Sequence, residues 1–169
     1  MRIRVARPDE YDAIGALTVE AYRDLTGGVA LGEYQDELFA VADRAVDCAV
    51  LVAVDDDDIV RGAVTFVPGP GTSMSEFVDS DAAGIRMLAV APKQQGSGVG
   101  RALTEACIVR ARNEGWSKIV LHSTEVMTVA RSMYERYGFV ATPDRDVWFT
   151  QPPYSVDRPL HLIAYVLNL

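Results

Sequence analysis

Apolar and polar residues along the chain fall into two rhythms. "RIRVARP" (residues 2–8) reads as a first strand, and "DEYDAIGALTVEAYRDL" (9–25) as a helix. Asp9 is placed to cap that helix, and Ile14, Leu17, Val19 and Ala21 supply a partial apolar face. A second helical pattern runs through "EYQDELFAVADRAV" (33–46), with Leu38, Val41, Ala42 and Ala45 at helical spacing. "CAVLVAV", a run of aspartates and "IVRGAVTFV" then spell strand, turn and strand. Asp55 to Asp58 form the solvated tip of that hairpin, because the ligand and glycine spacing of a calcium loop is missing.

The second half changes rhythm. "PGPGTSMSEFVDSDAAG" (68–84) reads as a loop and "IRMLAVAP" (85–92) as a strand. From Val99 a helix carries Ala102, Leu103 and Ala106 at helical intervals, and Gly115 is placed to end it. "KIVLHS" is a strand, followed by an amphipathic helix in "VMTVARSMYERYGF" (126–139). On that helix Val126, Val129, Ala130, Met133, Tyr134 and Tyr137 share one face, and Gly138 stops it. "FVAT" and "LHLIAYVL" close the chain as strands, with "PDRDVWFTQPPYSVDRP" as a loop between them. Strands come first in pairs and then alternate with helices. That order predicts an α/β (α+β) fold, a sheet of mixed direction with helices on both faces. Residues 1–169 read as a single domain, without linker or repeat.

Composition narrows the function. The 169 residues are 49% hydrophobic and 24% charged, as expected of a soluble globular chain. No apolar run approaches the roughly 20 residues needed to span a bilayer. Asp9, Glu10 and Asp12 stand where a signal peptide needs its apolar segment, so the expected location is cytoplasmic. The net charge of −8 and pI near 4.7 argue against a nucleic-acid partner and favour cationic partners such as amines. Cys48 and Cys107 sit among apolar residues and read as buried thiols. His122 and His161 are far apart in apolar surroundings, so no metal site is expected.

The chemistry concentrates in "VAPKQQGSGVGRAL" (90–103), where Gly96, Gly98 and Gly100 fall between a strand and a helix. The register of a dinucleotide fingerprint fails, because its sixth position is Arg101. The Gly-Lys-Ser/Thr ending of a Walker loop is missing too. A strand, a loop Gln95-x-x-Gly98-x-Gly100 and a helix remain. They make either a plain turn or an anion cradle at a helix N-terminus, to which Lys93 and Arg101 add charge.

"MLAVAPKQQGSGVGRALTEACIVRARNEG" followed by "IVLHSTEVMTVARSMYERYGF" resembles the GNAT superfamily of acyl-CoA-dependent N-acetyltransferases. The strand ending "LAVAP", the Gln95-x-x-Gly98-x-Gly100 signature and the late helix "ARSMYERYGF" carry the resemblance across Met87 to Phe139. It implies a mostly antiparallel sheet with a splayed parallel pair in its middle, formed by "RMLAV" and "KIVLHS". It also implies acetyl-CoA as cosubstrate, with no metal, and acetyl transfer to an amine-bearing small molecule or peptide by direct attack. The backbone from Gln95 through Gly96, Ser97, Gly98, Val99 and Gly100 to Arg101 would hold the diphosphate. Leu88, Ala89 and Val90 would pair with the pantetheine arm, and an N–H near Val90 would meet the oxyanion. Tyr134 matches the tyrosine that protonates the leaving thiolate.

Two departures accompany the match. Relatives often carry a glutamate base on the strand before the glycine loop, whereas "IRMLAV" has no carboxylate. Glu33, Glu76, Asp79, Asp81 and Glu125 are the nearby acids, His122 reads as a packed strand residue, and a water chain or a neutral amine would serve equally. Met127 stands where many relatives carry an asparagine that contacts the pantetheine arm, so either a neighbour such as Ser132 or Thr128 takes over that contact or cofactor binding is weaker. The acceptor site would be built from Tyr22 to Glu37 and Gln151 to Arg158, with Tyr34, Trp148 and Tyr154 as an aromatic wall. The rival functions are a non-catalytic acyl-CoA-binding module of the same fold and a structural interaction domain. Homodimers are frequent in relatives, and "LHLIAYVLNL" suits either an interior strand or an interface.

Overall fold

The computed structural model describes residues 1–25, 31–149 and 160–169. Its strands are β1 (Arg2–Val5), β2 (Ala49–Val54), β3 (Val60–Val67), β4 (Ala82–Val90), β5 (Lys118–Thr124), β6 (Val140–Ala141), β7 (Val147–Phe149) and β8 (Leu160–Asn168). The helices are α1 (Tyr11–Leu25), α2 (Tyr34–Phe39), α3 (Val41–Arg44), α4 (Val99–Asn113) and α5 (Thr128–Arg136). One mixed sheet runs in the order β1-β2-β3-β4-β5-β8-β6, with β7 also on β8. Every pairing is antiparallel except β4 with β5, which is parallel.

Alternation along β2 shows how the helices divide. Leu51 and Ala53 pack with Leu103 and Cys107 of α4. Val50, Val52 and Val54 pack with Ile14 of α1 and Val41 of α3. Successive side chains of a strand point to opposite faces, so α1–α3 cover one side of the sheet and α4 the other. The core holds Phe66, Leu103, Ile119 and Tyr165, each under 2% exposed, where truncation to alanine costs about 2–5 kcal/mol. Cys48 and Cys107 are buried free thiols, in line with the sequence reading.

The middle of the sheet is irregular, and that irregularity makes the site. β4 and β5 are in register only from Ala82–Lys118 to Ile85–Leu121. Beyond that point β4 stays with β3 and β5 stays with β8, so the parallel pair diverges. The cause lies in β4. Ala63 pairs with Ala89 and Thr65 with Arg86, so Met87 and Leu88 together face the span of one partner residue. Met87 takes φ 52°, the left-handed conformation of a bulge, which bends the strand away from its neighbour. Arg86 reaches Glu37 and Glu76, and Met87 packs with Val19 and Leu38, all on the α1–α2 side. Leu88 and Val90 return to the α4 side.

Several expectations are corrected. The second helix divides into α2 and α3 at Ala40, whose ψ of 64° breaks the turn. Asp9 does not cap α1. A 3-10 turn over Pro8–Glu10 leads in, and the Glu10 carboxylate accepts the Arg7 N–H at 2.7 Å. The loop read as 68–84 ends earlier, because Ala82 and Ala83 are already buried strand residues. β7 lies inside the segment read as a loop; three residues are too few to show a period, and cross-strand pairing with β8 defines it. Val126 and Val129 are 52% and 81% exposed, so they are not part of a buried helix face. Gly115 and Gly138 end their helices as expected, at φ 81° and 92°.

Candidate active site

The diverging ends of β4 and β5 enclose a cavity of about 110 Å³. Its walls come from Arg86 to Leu88, from His122 and Ser123, from the start of α5 and from Tyr22 of α1. Tyr134, the candidate acid, lines it from α5 and is 6% exposed. Its ring packs on Phe139 and Tyr165, with centroids 5.6 and 6.4 Å away. Burial pushes the Tyr134 phenol well above its ordinary range. The hydroxyl therefore keeps its proton at every ordinary pH, as a proton donor to a leaving group must.

The glycine loop follows the end of β4. Ser97 Oγ donates to the Gln94 carbonyl at 2.5 Å, and Gln95 Nε2 donates to Asp24 Oδ2 of α1 at 3.1 Å. Gly98 caps α4 with φ 90°, a conformation that costs an L-residue with a Cβ about 1–2 kcal/mol. Among the described residues, chain neighbours aside, no heavy atom lies within 4 Å of a Cβ built at Gly96 or Gly98, so that face of the loop is open. The first helical bond runs from Ala102 N–H to the Gly98 carbonyl. The N–H groups of Val99, Gly100 and Arg101 therefore precede the ladder and point out of the helix start, the arrangement that binds a diphosphate. Gly62 of β3 allows the close approach, since a Cβ there would meet Val99 at 2.7 Å. Lys93 and Arg101 are exposed beside the loop. Beyond Ile85 the β5-facing edge of β4 has no strand partner among the described residues, which leaves Leu88 to Val90 open to an added extended chain.

Of the acids considered as a base, Glu76 is brought to the split. Its Oε1 lies 3.0 Å from Arg86 and its Oε2 3.0 Å from His122 Nδ1. His122 is packed, as expected, but it is also joined to this network and lines the cavity. Its Nε2 faces the Arg145 carbonyl at 3.3 Å, so both ring nitrogens face oxygen acceptors. Burial tends to raise the Glu76 carboxyl; the His122 bond and the Arg86 charge outweigh it and leave it below its ordinary value. Asp79 is tied to Arg145 and Lys118, Asp81 to Lys118, and Glu125 to His161. Arg86 was not a sequence candidate. An arginine inside an apolar strand next to the glycine loop was the available signal.

Tyr22 and Tyr34 meet edge to face at 6.2 Å, forming an aromatic wall on the α1–α2 side. Trp148 stands apart from them, stacked on His161 at 3.9 Å. Tyr154 and the rest of Gln151 to Arg158 lie outside the described residues. Met127 lines the cavity. So does Thr128, one of the two residues considered as its polar substitute; Ser132 does not line it.

The acetyltransferase (GNAT) family profile matches residues 13–139. The chain is 32% identical over 108 residues to the mycothiol acetyltransferase of Cellulomonas flavigena, covering 63% of this chain and 31% of that protein. It is 42% identical over 66 residues to the one from Jonesia denitrificans, covering 39% and 21%. The aligned part thus spans about a fifth to a third of the length of these relatives. Among solved structures, the ribosomal-protein-alanine N-acetyltransferase of Brucella melitensis superposes with a TM-score of 0.72 at 20% identity, over 100% of both chains. A Salmonella typhimurium protein solved with its cofactor acetyl-CoA gives 0.70 at 23% identity, over 100% of this chain and 94% of that one. Among the described residues, no helix is long and apolar enough to cross a membrane. With three quarters of the chain matched in sequence and the bulged, split sheet in place, the chain belongs to the acetyltransferase (GNAT) family.

Proposed function

We propose that the chain is an N-acetyltransferase that moves an acetyl group from acetyl-CoA to a primary amine of a small molecule or peptide, by direct attack in a ternary complex. The observation that carries this reading is the split itself. The opening is lined by the end of β4 and a protonated buried tyrosine, and the glycine loop at the start of α4 follows directly on that same strand. When bound, acetyl-CoA supplies the activated thioester. The N–H groups of Gly96 and of Gly98 to Arg101 hold its diphosphate, those of Gln95 and Ser97 being donated to the Pro92 and Gln94 carbonyls, and the edge of Leu88 to Val90 aligns its arm. Tyr134 gives its proton to the departing thiolate. On the opposite side Glu76, held by Arg86 and His122, presents a carboxylate that draws a cationic amine; the amine gives its proton to water before its lone pair attacks the thioester carbon, and the nitrogen sheds a second proton to water as the C–S bond breaks. The names of the relatives point to one small molecule and one protein as acceptors, so the acceptor class is kept at an amine.

Thermal unfolding with acetyl-CoA, CoA and NAD tests the cradle. Ligand at 100 times its Kd adds about 2.7 kcal/mol to stability, a rise of a few degrees in Tm. Stabilisation by both CoA species and not by NAD is expected, followed by thiol release with amines. No shift with any of the three would sink the reading. Binding without turnover across peptide N-termini, polyamines and aminoglycosides would leave the non-catalytic module instead.

A further inference from the structure

The wall of the cavity contains a polar group that the fold itself does not use. Ser123 is the sixth residue of β5, two positions beyond the last pairing with β4. It alternates with Ile119 and Leu121, so it faces the α4–α5 side, where those residues pack with Tyr134. It is 2% exposed and lines the cavity. Its hydroxyl has no hydrogen-bond partner among the described residues. Three other described side-chain atoms are buried without a partner, Arg4 Nε, Arg44 Nε and Thr124 Oγ1, and none belongs to a residue that lines this cavity.

A buried hydroxyl without a partner is a net cost, and a strand position among isoleucine and leucine would be better filled by an apolar residue. The cost is removed if a partner enters with the ligand. Met127, on the same wall, offers only a thioether, a weak acceptor and no donor. The arm of an acyl-CoA is a chain of amide groups ending in a thioester, and its carbonyl oxygens need donors wherever it leaves water.

We infer that the Ser123 hydroxyl donates a hydrogen bond to a carbonyl of the bound acyl-CoA arm, making it a cofactor-positioning residue of this chain. The inference rests on the acetyl-CoA reading above. Ser123 lines the cavity with its hydroxyl buried, so the arm meets that hydroxyl at the cavity wall.

The test is the ligand-free Tm and the affinity for two probes. Acetyl-CoA carries the arm; adenosine 3′,5′-bisphosphate carries phosphates without it. Ser123→Ala is expected to leave the ligand-free Tm unchanged or raise it, because an unsatisfied hydroxyl is removed. The same change weakens acetyl-CoA about fivefold, the usual worth of one neutral hydrogen bond, and leaves the bisphosphate unchanged. Ser123→Thr, which keeps the hydroxyl and suits a strand, restores acetyl-CoA binding. Unaltered acetyl-CoA affinity in Ser123→Ala overturns the inference, and so does a loss shared equally by both probes. A fall in ligand-free Tm with normal affinity would assign the hydroxyl to a buried water instead. Failure of the unsubstituted protein to bind acetyl-CoA removes the underlying reading as well, and is seen separately from any effect of the substitution.

Discussion

The two sides of the split between β4 and β5 are built from different materials. Toward α4 and α5 the site consists of backbone: the N–H groups of a helix start, an unpaired strand edge and apolar side chains around one tyrosine. Toward α1 and α2 it consists of side chains: Glu37, Glu76, Arg86 and His122 in one network, with Tyr22 and Tyr34 beside it. Backbone recognition suits a ligand that every relative shares, because it depends on chain direction and a few glycines. Side-chain recognition suits the partner that differs from one relative to the next.

The largest effect should come from the shared side. Tyr134→Phe removes a proton donor and lowers kcat by about 100-fold or more, while the acetyl-CoA Kd stays within about twofold. Steady-state kinetics with direct titration separates the two, and an unchanged kcat takes Tyr134 out of the mechanism. Next, Glu76→Gln acts on the other side alone. It lowers kcat/KM for the amine about tenfold, chiefly through KM, with acetyl-CoA binding intact. Equal losses toward both substrates would show that the network merely supports the fold. Gly98→Val should have a smaller effect, confined to the cradle. A β-branched side chain at φ 90° is strained, so acetyl-CoA affinity falls about fivefold and stability drops by about 1 kcal/mol. Calorimetric titration decides this one, and tight binding despite the valine would mean the loop bends elsewhere.

A second carboxylate–arginine pair sharpens the contrast. Glu10 accepts from Arg4 at 2.6 and 2.8 Å at the entrance to α1. The Arg4 hydrogen bonds, against burial, bring its carboxyl down from 4.5 to about 2. A folded-state pKa below the unfolded one means that this stability is complete above about pH 4.5 and is lost as pH falls toward 2. Glu10→Gln should therefore cost roughly 1 kcal/mol at neutral pH and nothing near pH 2, with no change in kinetics. Acid titrations of Tm for both proteins measure it; a difference that persists at pH 2 would point to packing rather than charge.

Much of this molecule can be read along the chain. The glycine loop, α4, α5 with Gly138, and the hairpin at Asp55 to Asp58 all follow from local spacing and local turn chemistry. The break at Ala40, the start of β4 at Ala82 and the short β7 were not legible, because each is defined by a partner distant in sequence. The cavity-side valines show the same limit. Val126 and Val129 have the spacing of a packed face, yet they stand exposed at the rim of an opening.

The sequence by itself determined the candidate cradle and the candidate acid, since a glycine loop at a helix start and a tyrosine on an amphipathic helix are both short-range features. Only the tertiary structure decided the proposed acceptor side. Glu76 comes from the loop before β4, Arg86 from β4 just before its bulge, His122 from β5 and Tyr22 from α1. No spacing joins them. They meet because a bulge at Met87 turns two successive residues to one side and parts the strands, and because burial then pairs the charges that the split brings together.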